Sequence, residues 1–260
     1  MADYDDEEVG APYEWQSLDV AAEEEAPTEK YIKAPGRATV TYPNKDTFTG
    51  SFNDNKDKHG QGVYTWSTEP GSNPWGPEAE EEGEEGAAAW PAERIVRYEG
   101  DYTEGKREGV GKISLPNGDK YHGQWRADKF HGEGTYFYAN GDIYSGMWAE
   151  GKKSGEGAFV FAKDRSQLVG QWEDNAITAG QWLWKDGTSW HGSFKNNKPI
   201  GRGVFYFPNG NQQTGSYVEE GDPEDEETEL KLVWRVEATL PATVAASELS
   251  RAPPASSAHK

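Results

Sequence analysis

Gly100-Asp-Tyr-Thr-Glu-Gly105-Lys106 has nearly the spacing of a phosphate-cradling loop, in which backbone amides and a lysine hold a nucleotide's phosphates. The next residue is Arg107, where that chemistry needs a Ser or Thr hydroxyl for magnesium, and no helix signal follows. Gly146-Met-Trp-Ala-Glu-Gly151-Lys152 repeats the match in phase, which marks it as a repeat artefact, and the Gly-x-Gly pairs fail as dinucleotide fingerprints for the same reason. The five histidines do not converge on a metal. His59 and His131 fall at equivalent positions two repeats apart, roughly 20 Å by strand spacing, and His122 and His191 are equivalents too, whereas zinc ligands must each lie about 2 Å from the ion. No His-Glu-x-x-His occurs, and no Ser/His/Asp set can be singled out. Absence of Cys excludes disulfides, thiolate metal sites and cysteine catalysis. The many acid pairs lie in charge runs, which read as solvated. The expectation is a protein without enzymatic activity, cofactor or metal.

What must position these residues is a repeat. An aromatic-x-Gly-x-aromatic pattern appears as Phe48-Thr-Gly50-Ser-Phe52, Tyr98-Glu-Gly100-Asp-Tyr102, Tyr121-His-Gly123-Gln-Trp125, Tyr144-Ser-Gly146-Met-Trp148 and Trp190-His-Gly192-Ser-Phe194. Degenerate copies are Leu168-Val-Gly170-Gln-Trp172 and Gln213-Thr-Gly215-Ser-Tyr217. From Tyr98 the starts step by 23, 23, 24, 22 and 23 residues. Gly100, Gly123, Gly146, Gly170 and Gly192 define the phase. Each start is followed by Gly-x-Gly and two alternating apolar residues, then a turn such as Pro116-Asn117-Gly118, Asn140-Gly141 or Asp186-Gly187. Gly36-Arg-Ala38 is the second half of a truncated first copy.

Alternation places the rings and glycines on one face and residues such as Glu99, Lys112, Gln124 and Arg202 on the other. The fold class expected is therefore all-β: an elongated, twisted array of antiparallel hairpins with disordered acidic termini. Glycine beside a ring lets the ring lie across the backbone. The face has two readings. It is an internal packing surface, or part of it is a groove for a partner segment or a second array. In the second reading Tyr121, Trp125, Tyr144, Trp148, Trp172, Trp182, Trp184 and Trp190 are the anchors, since Trp and Tyr dominate interface hot spots.

The formal charge of −20 is unevenly spread. Residues 1–29, 78–86 and 219–229 hold −25 between them, which leaves +5 for the remainder. This divides the chain into an acidic N-terminal extension (1–35), the repeat array (36–217) with a disordered acidic insertion at about 67–94, an acidic linker (218–229), a segment at 230–240 and a disordered tail (241–260). The segment at 230–240 is a strand that caps the last repeat, or one that docks on a partner through Val233 and Trp234. No apolar run approaches the roughly 18 residues of a membrane span, and the N-terminus lacks the features of a secretory signal. The setting expected is intracellular and soluble, without nucleic acid.

Tyr121-His-Gly-Gln-Trp125, His131-Gly-Glu-Gly-Thr-Tyr136 and Asn140-Gly-Asp142 together resemble the MORN repeat, over roughly residues 36–217. Asn197-Lys-Pro199-Ile-Gly201-Arg-Gly203, Phe207-Pro-Asn-Gly210, the copy at Gln213–Tyr217, an acidic run and Val233-Trp234-Arg235 resemble the closing segment of the radial spoke head protein 1 family of ciliary and flagellar axonemes. That resemblance implies a scaffold subunit of the axonemal cytoskeleton. It would contact other radial spoke proteins, another MORN protein or a second copy of itself, and contribute to regulation of motility. The insertion and the N-terminal region depart from that family. Two alternatives stand beside it. One is a membrane- or phosphoinositide-associated adaptor, disfavoured by acidic segments that anionic lipid repels. The other is an accessory to a lysine methyltransferase, for whose catalytic domain about 40 residues after the array leave no room.

Overall fold

The computed structural model describes residues 14–18, 28–29, 35–67, 96–220 and 231–242. The expected all-β architecture of antiparallel hairpins is present, in two compact units, residues 1–139 and 140–260. The first unit contains β1 (Glu14–Ser17), β2 (Thr28–Glu29), β3 (Gly36–Thr41), β4 (Thr47–Phe52), β5 (Lys58–Trp66), β6 (Val96–Thr103), β7 (Lys106–Ser114), β8 (Lys120–Arg126) and β9 (Lys129–Phe137). From β3 to β9 each strand pairs with the next, and β1 pairs with both β2 and β3. The second contains β10 (Ile143–Ala149), β11 (Lys152–Val160), β12 (Gln167–Glu173), β13 (Ala176–Leu183), β14 (Ser189–Lys195), β15 (Lys198–Tyr206), β16 (Gln212–Glu220) and β17 (Lys231–Leu240), again paired in order.

Two boundaries differ from the sequence reading. Glu14–Ser17, within the supposed N-terminal extension, is a strand on β3. Val218, Glu219 and Glu220, assigned to the acidic linker, continue β16, where Arg235 of β17 binds Glu220 at 2.6 Å. In both cases the backbone completes a ladder that the charge pattern alone conceals. The insertion at 68–94, the rest of the linker (221–229) and the tail beyond residue 242 lie outside the described residues.

Each repeat closes twice. Except between β4 and β5, where the longer turn has only Lys56 (66°), the chain turns between a repeat's own two strands through two residues of positive φ, such as Ala127 (47°) and Asp128 (69°), or Asp174 (47°) and Asn175 (73°). These are the backbone angles whose twist matches paired strands. The turns signalled by Asn-Gly and Asp-Gly join one repeat to the next. The ladder is broken by a bulge after the first strand's glycine, as between Gly146 and Trp148. There the first glycine of Gly-x-Gly takes positive φ, as at Gly155 (65°), so it does not simply share the ring face as alternation implied. The second glycine is needed for space: a Cβ at Gly62 would lie 2.5 Å from two ring atoms of Phe48.

The core of each unit is a chain of edge-to-face rings. In the first it runs through Phe48, Phe52, Tyr98, Tyr102, Tyr121 and Trp125. Tyr98 meets Tyr102 at 5.2 Å and Trp125 at 5.1 Å. In the second, Tyr144 meets Trp148 and Trp172, each at 5.2 Å, and Trp190 meets Phe194 at 5.0 Å. The bulge frees one backbone carbonyl, and a core phenol claims it: Tyr98, Tyr121 and Tyr144 donate to the carbonyls of Asp101, Gln124 and Met147 at 3.0, 2.8 and 3.0 Å.

Candidate functional site: half-buried rings and ring-flanked cations

The first strand of each repeat spends its rings on the core. Tyr121, Trp125, Tyr144, Trp148, Trp172 and Trp190 are 0–5% exposed, so six of the eight anchors named from sequence are not available to a partner. Each first-position ring lies over the glycine of its own strand and the glycine opposite, as Tyr98 covers Gly100 and Gly111. It is consumed in covering backbone. The second strand's rings find those glycines already covered and stay half-buried, with part of each ring open to solvent. In the first unit they are Tyr64 with Trp66, ring centroids 4.6 Å apart, and Tyr136 with Tyr138, also 4.6 Å. In the second they are Phe159 with Phe161 at 4.8 Å, then a stacked series: Trp182–Trp184 (4.9 Å), Trp184–Phe205 (5.9 Å) and Phe205–Phe207 (6.0 Å). Trp182 and Trp184 thus remain from the sequence-derived set. Trp182 Nε1 is buried and has no hydrogen-bond partner among the described residues.

Three aspartates beside these rings have a role that the sequence reading did not assign, although Asp142 stood within its repeat motif. Asp46 accepts the Tyr64 hydroxyl and the Ser67 amide, both at 2.7 Å, and Asp119 does the same for Tyr136 and Ala139. Asp142 accepts the Ala162 amide at 2.7 Å, but the ring in the clamped position is Phe159. Their signal was Asn-x-Asp within each inter-repeat turn, where Asn44, Asn117 and Asn140 also bond the carboxylate.

A second missed feature is the residue facing the second core aromatic. It is Lys58 opposite Phe52, Arg107 opposite Tyr102 and Lys153 opposite Trp148. In other repeats it is Phe130, Ile177 or Pro199. Arg107 lies over Trp125 at 4.5 Å and binds Asp128 at 2.9 Å. Burial lowers both Lys58 and Lys153 from the usual 10.5 to about 8. Burial pushes the hydroxyls of Tyr64, Tyr98, Tyr102, Tyr121 and Tyr136 well above the usual phenol range, with the Asp46 and Asp119 bonds adding to it at Tyr64 and Tyr136.

On the polar face of the first unit a trough of about 390 Å³ is lined by glycine backbone with Arg37, Gln61, Lys112 and His122. Among the described residues no group of three or more metal-ligating side chains could hold an ion. Trp234 of β17, proposed as a docking residue, turns inward: it packs on Phe205 and Tyr217, both at 5.0 Å, and donates Nε1 to Gln213 at 3.0 Å. Val233 faces Val218 in the ladder.

Residues 48–69, 98–120, 121–143, 144–164 and 190–212 match the MORN repeat. The chain carries five MORN repeats. Their bounds begin on the first core aromatic, so each contributes two first-strand rings to the core, and all but the repeat at 98–120, whose second strand carries Ile113 and Leu115, add a pair of partly exposed rings. No curated protein matches the chain at a significant level. MORN repeats suggest a protein-interaction or membrane-associated module.

Proposed function

We propose that this MORN protein is a non-catalytic scaffold subunit of the ciliary or flagellar axoneme, with a place in the radial spoke. Its contacts would be made through the partly exposed rings of the second strands. The observation that carries the interaction role is the stacked series Trp182, Trp184, Phe205 and Phe207, held at the surface while the equivalent first-strand rings are buried. Such a surface loses water cheaply and supplies large rigid contacts. Support for the axonemal setting is the resemblance of residues 197–235 to the closing segment of spoke head proteins.

The test is fractionation of cilia from cells that make the chain. The full chain is expected to stay with axonemes after detergent removes the membrane, and Trp184→Ala is expected to release it while leaving its circular dichroism unchanged. Extraction of the unaltered chain with detergent, together with binding to anionic liposomes at physiological salt, would replace this reading with the membrane-associated one.

A further inference from the structure

Lys58 opens β5 directly after a turn, and its ammonium is ringed by aromatic side chains. Nζ lies 4.3 Å from the centroid of Tyr64, 5.4 Å from Phe48, 5.5 Å from Tyr42 and 5.8 Å from Tyr102. Among the described residues no carboxylate lies within ion-pair distance of it. Asp128 and Asp46 pull on its charge only through space, and Arg107 pushes against it. The amine has therefore lost water without gaining a carboxylate, and what it has instead is ring faces.

That environment favours a particular chemical form. On an exposed lysine each N-methyl group displaces a water molecule and gains little. In a socket of rings the water is already gone, while the methyl groups touch π-faces and the positive charge remains. This is the physics by which aromatic cages hold quaternary ammonium groups. We infer that Lys58 is a site of Nζ-methylation whose methylammonium product is held by the cage of Tyr42, Phe48, Tyr64 and Tyr102 in the same chain. The reaction is a displacement by the neutral amine on a sulfonium methyl donor bound to a transferase. The ammonium first gives one proton to solvent; the Nζ lone pair of the resulting amine then forms the new N–C bond as the S–C bond breaks, the thioether leaves with that electron pair, and the product keeps its positive charge as methylammonium. With its affinity for protons lowered to about 8, Lys58 offers far more neutral amine at neutral pH than an ordinary lysine. Lys153 repeats the arrangement in the second unit with three rings, Phe159 at 4.9 Å, Tyr144 at 5.2 Å and Trp172 at 5.3 Å.

Two measurements decide it. In chain isolated from its native cells, peptide mass spectrometry is expected to find methylated Lys58 at higher occupancy than exposed Lys56 or Lys106. Unmodified Lys58 there overturns the proposal. In recombinant full-length chain, reductively methylated with ¹³C-formaldehyde, the Lys58 methyl resonance is expected to be shifted upfield by the rings relative to all exposed lysines. Lys58→Arg identifies that resonance by removing it and keeps the charge. A Lys58 methyl signal at the position of exposed lysines also overturns the proposal. Neither outcome depends on where in the cell the chain assembles.

Discussion

In residues 35–139 the turns before β4 and β8 carry Asp46 and Asp119, and each clamps a tyrosine hydroxyl and a backbone amide at 2.7 Å. In residues 140–242 Asp142 retains only the amide, and its successors in the later turns are Ser166, Thr188 and Asn211. The rings change in step: Tyr64 and Tyr136 in the first unit, Phe159, Trp182 and Phe205 in the second. Where a carboxylate is present the ring has a hydroxyl to give it, except at Phe159. In the second unit, where Ser166 and Thr188 replace the carboxylate, larger rings stack on one another; in the first, Val96 replaces it and the ring is replaced by Ile113. One unit fixes its surface rings through charge-assisted hydrogen bonds, the other through ring area. The first arrangement is directional and resists rotation of the ring. The second leaves broad apolar faces for a partner, which is why the proposed docking centres on Trp182 and Trp184.

Both units share the glycine requirement, so it sets the baseline. Gly62→Ala and Gly192→Ala each place a Cβ 2.5 Å from core ring atoms, of Phe48 and Trp190 respectively. Each is expected to cost about 3 kcal/mol by overpacking, read from urea unfolding; a marked difference between the two would show that the cores are not equivalent. The clamp separates the units next. Asp119→Ala strands the Tyr136 hydroxyl and the Ala139 amide and is expected to cost about 2 kcal/mol. Ser166→Ala, at the equivalent turn of the second unit, removes a buried hydroxyl that has no hydrogen-bond partner among the described residues and should stay within about 0.5 kcal/mol. Equal losses would remove the distinction between the units.

The smallest mutational effect is also the sharpest. Phe159→Tyr brings a hydroxyl toward Asp142 and should rebuild the clamp, gaining about 0.5 kcal/mol. A loss in thermal unfolding would mean that the second unit's ring packing has no room for it. The pH dependence follows from the cations. Lys58 and Lys153 have folded pKa values near 8 against 10.5 unfolded, so the unfolded chain binds more protons between those values. Their cost is full below about pH 8 and is relieved as pH rises toward 10.5. The tyrosines act oppositely: their folded values lie above the unfolded value of 10.0, so stability falls once the unfolded phenols ionise. Tm is expected to rise from pH 7 to about 9.5 and fall beyond it, and Lys58→Met should flatten the rising limb.

Much of this was legible in the chain. The step of about one hairpin, the aromatic-x-Gly-x-aromatic phase and the inter-repeat turns could be read directly, because strand alternation and the backbone demands of Asn-Gly act locally. The two-residue turns at Ala127-Asp128 and Asp174-Asn175 were less visible, since only Asn or Asp hints at positive φ there. The strand at Glu14–Ser17 was hidden inside an acidic run whose charge says nothing about which edge its backbone completes.

By itself the sequence settled the repeat, the hairpin and the identity of the ring face, all of which follow from periods of two and about twenty-three residues. Only the tertiary structure decided which ring of each repeat is buried. In the repeats that begin at Phe48, Tyr121, Tyr144 and Trp190 two aromatic side chains compete for the glycine pair, and composition gives them equal claim. The winner is the ring whose side chain leans over both glycines once the bulge has set the register. That choice turned six proposed anchors into core and left Trp182 and Trp184 at the surface. It also enclosed Lys58 among four rings contributed by strands and a turn up to sixty residues apart in the chain, from Tyr42 to Tyr102, a neighbourhood no local pattern encodes.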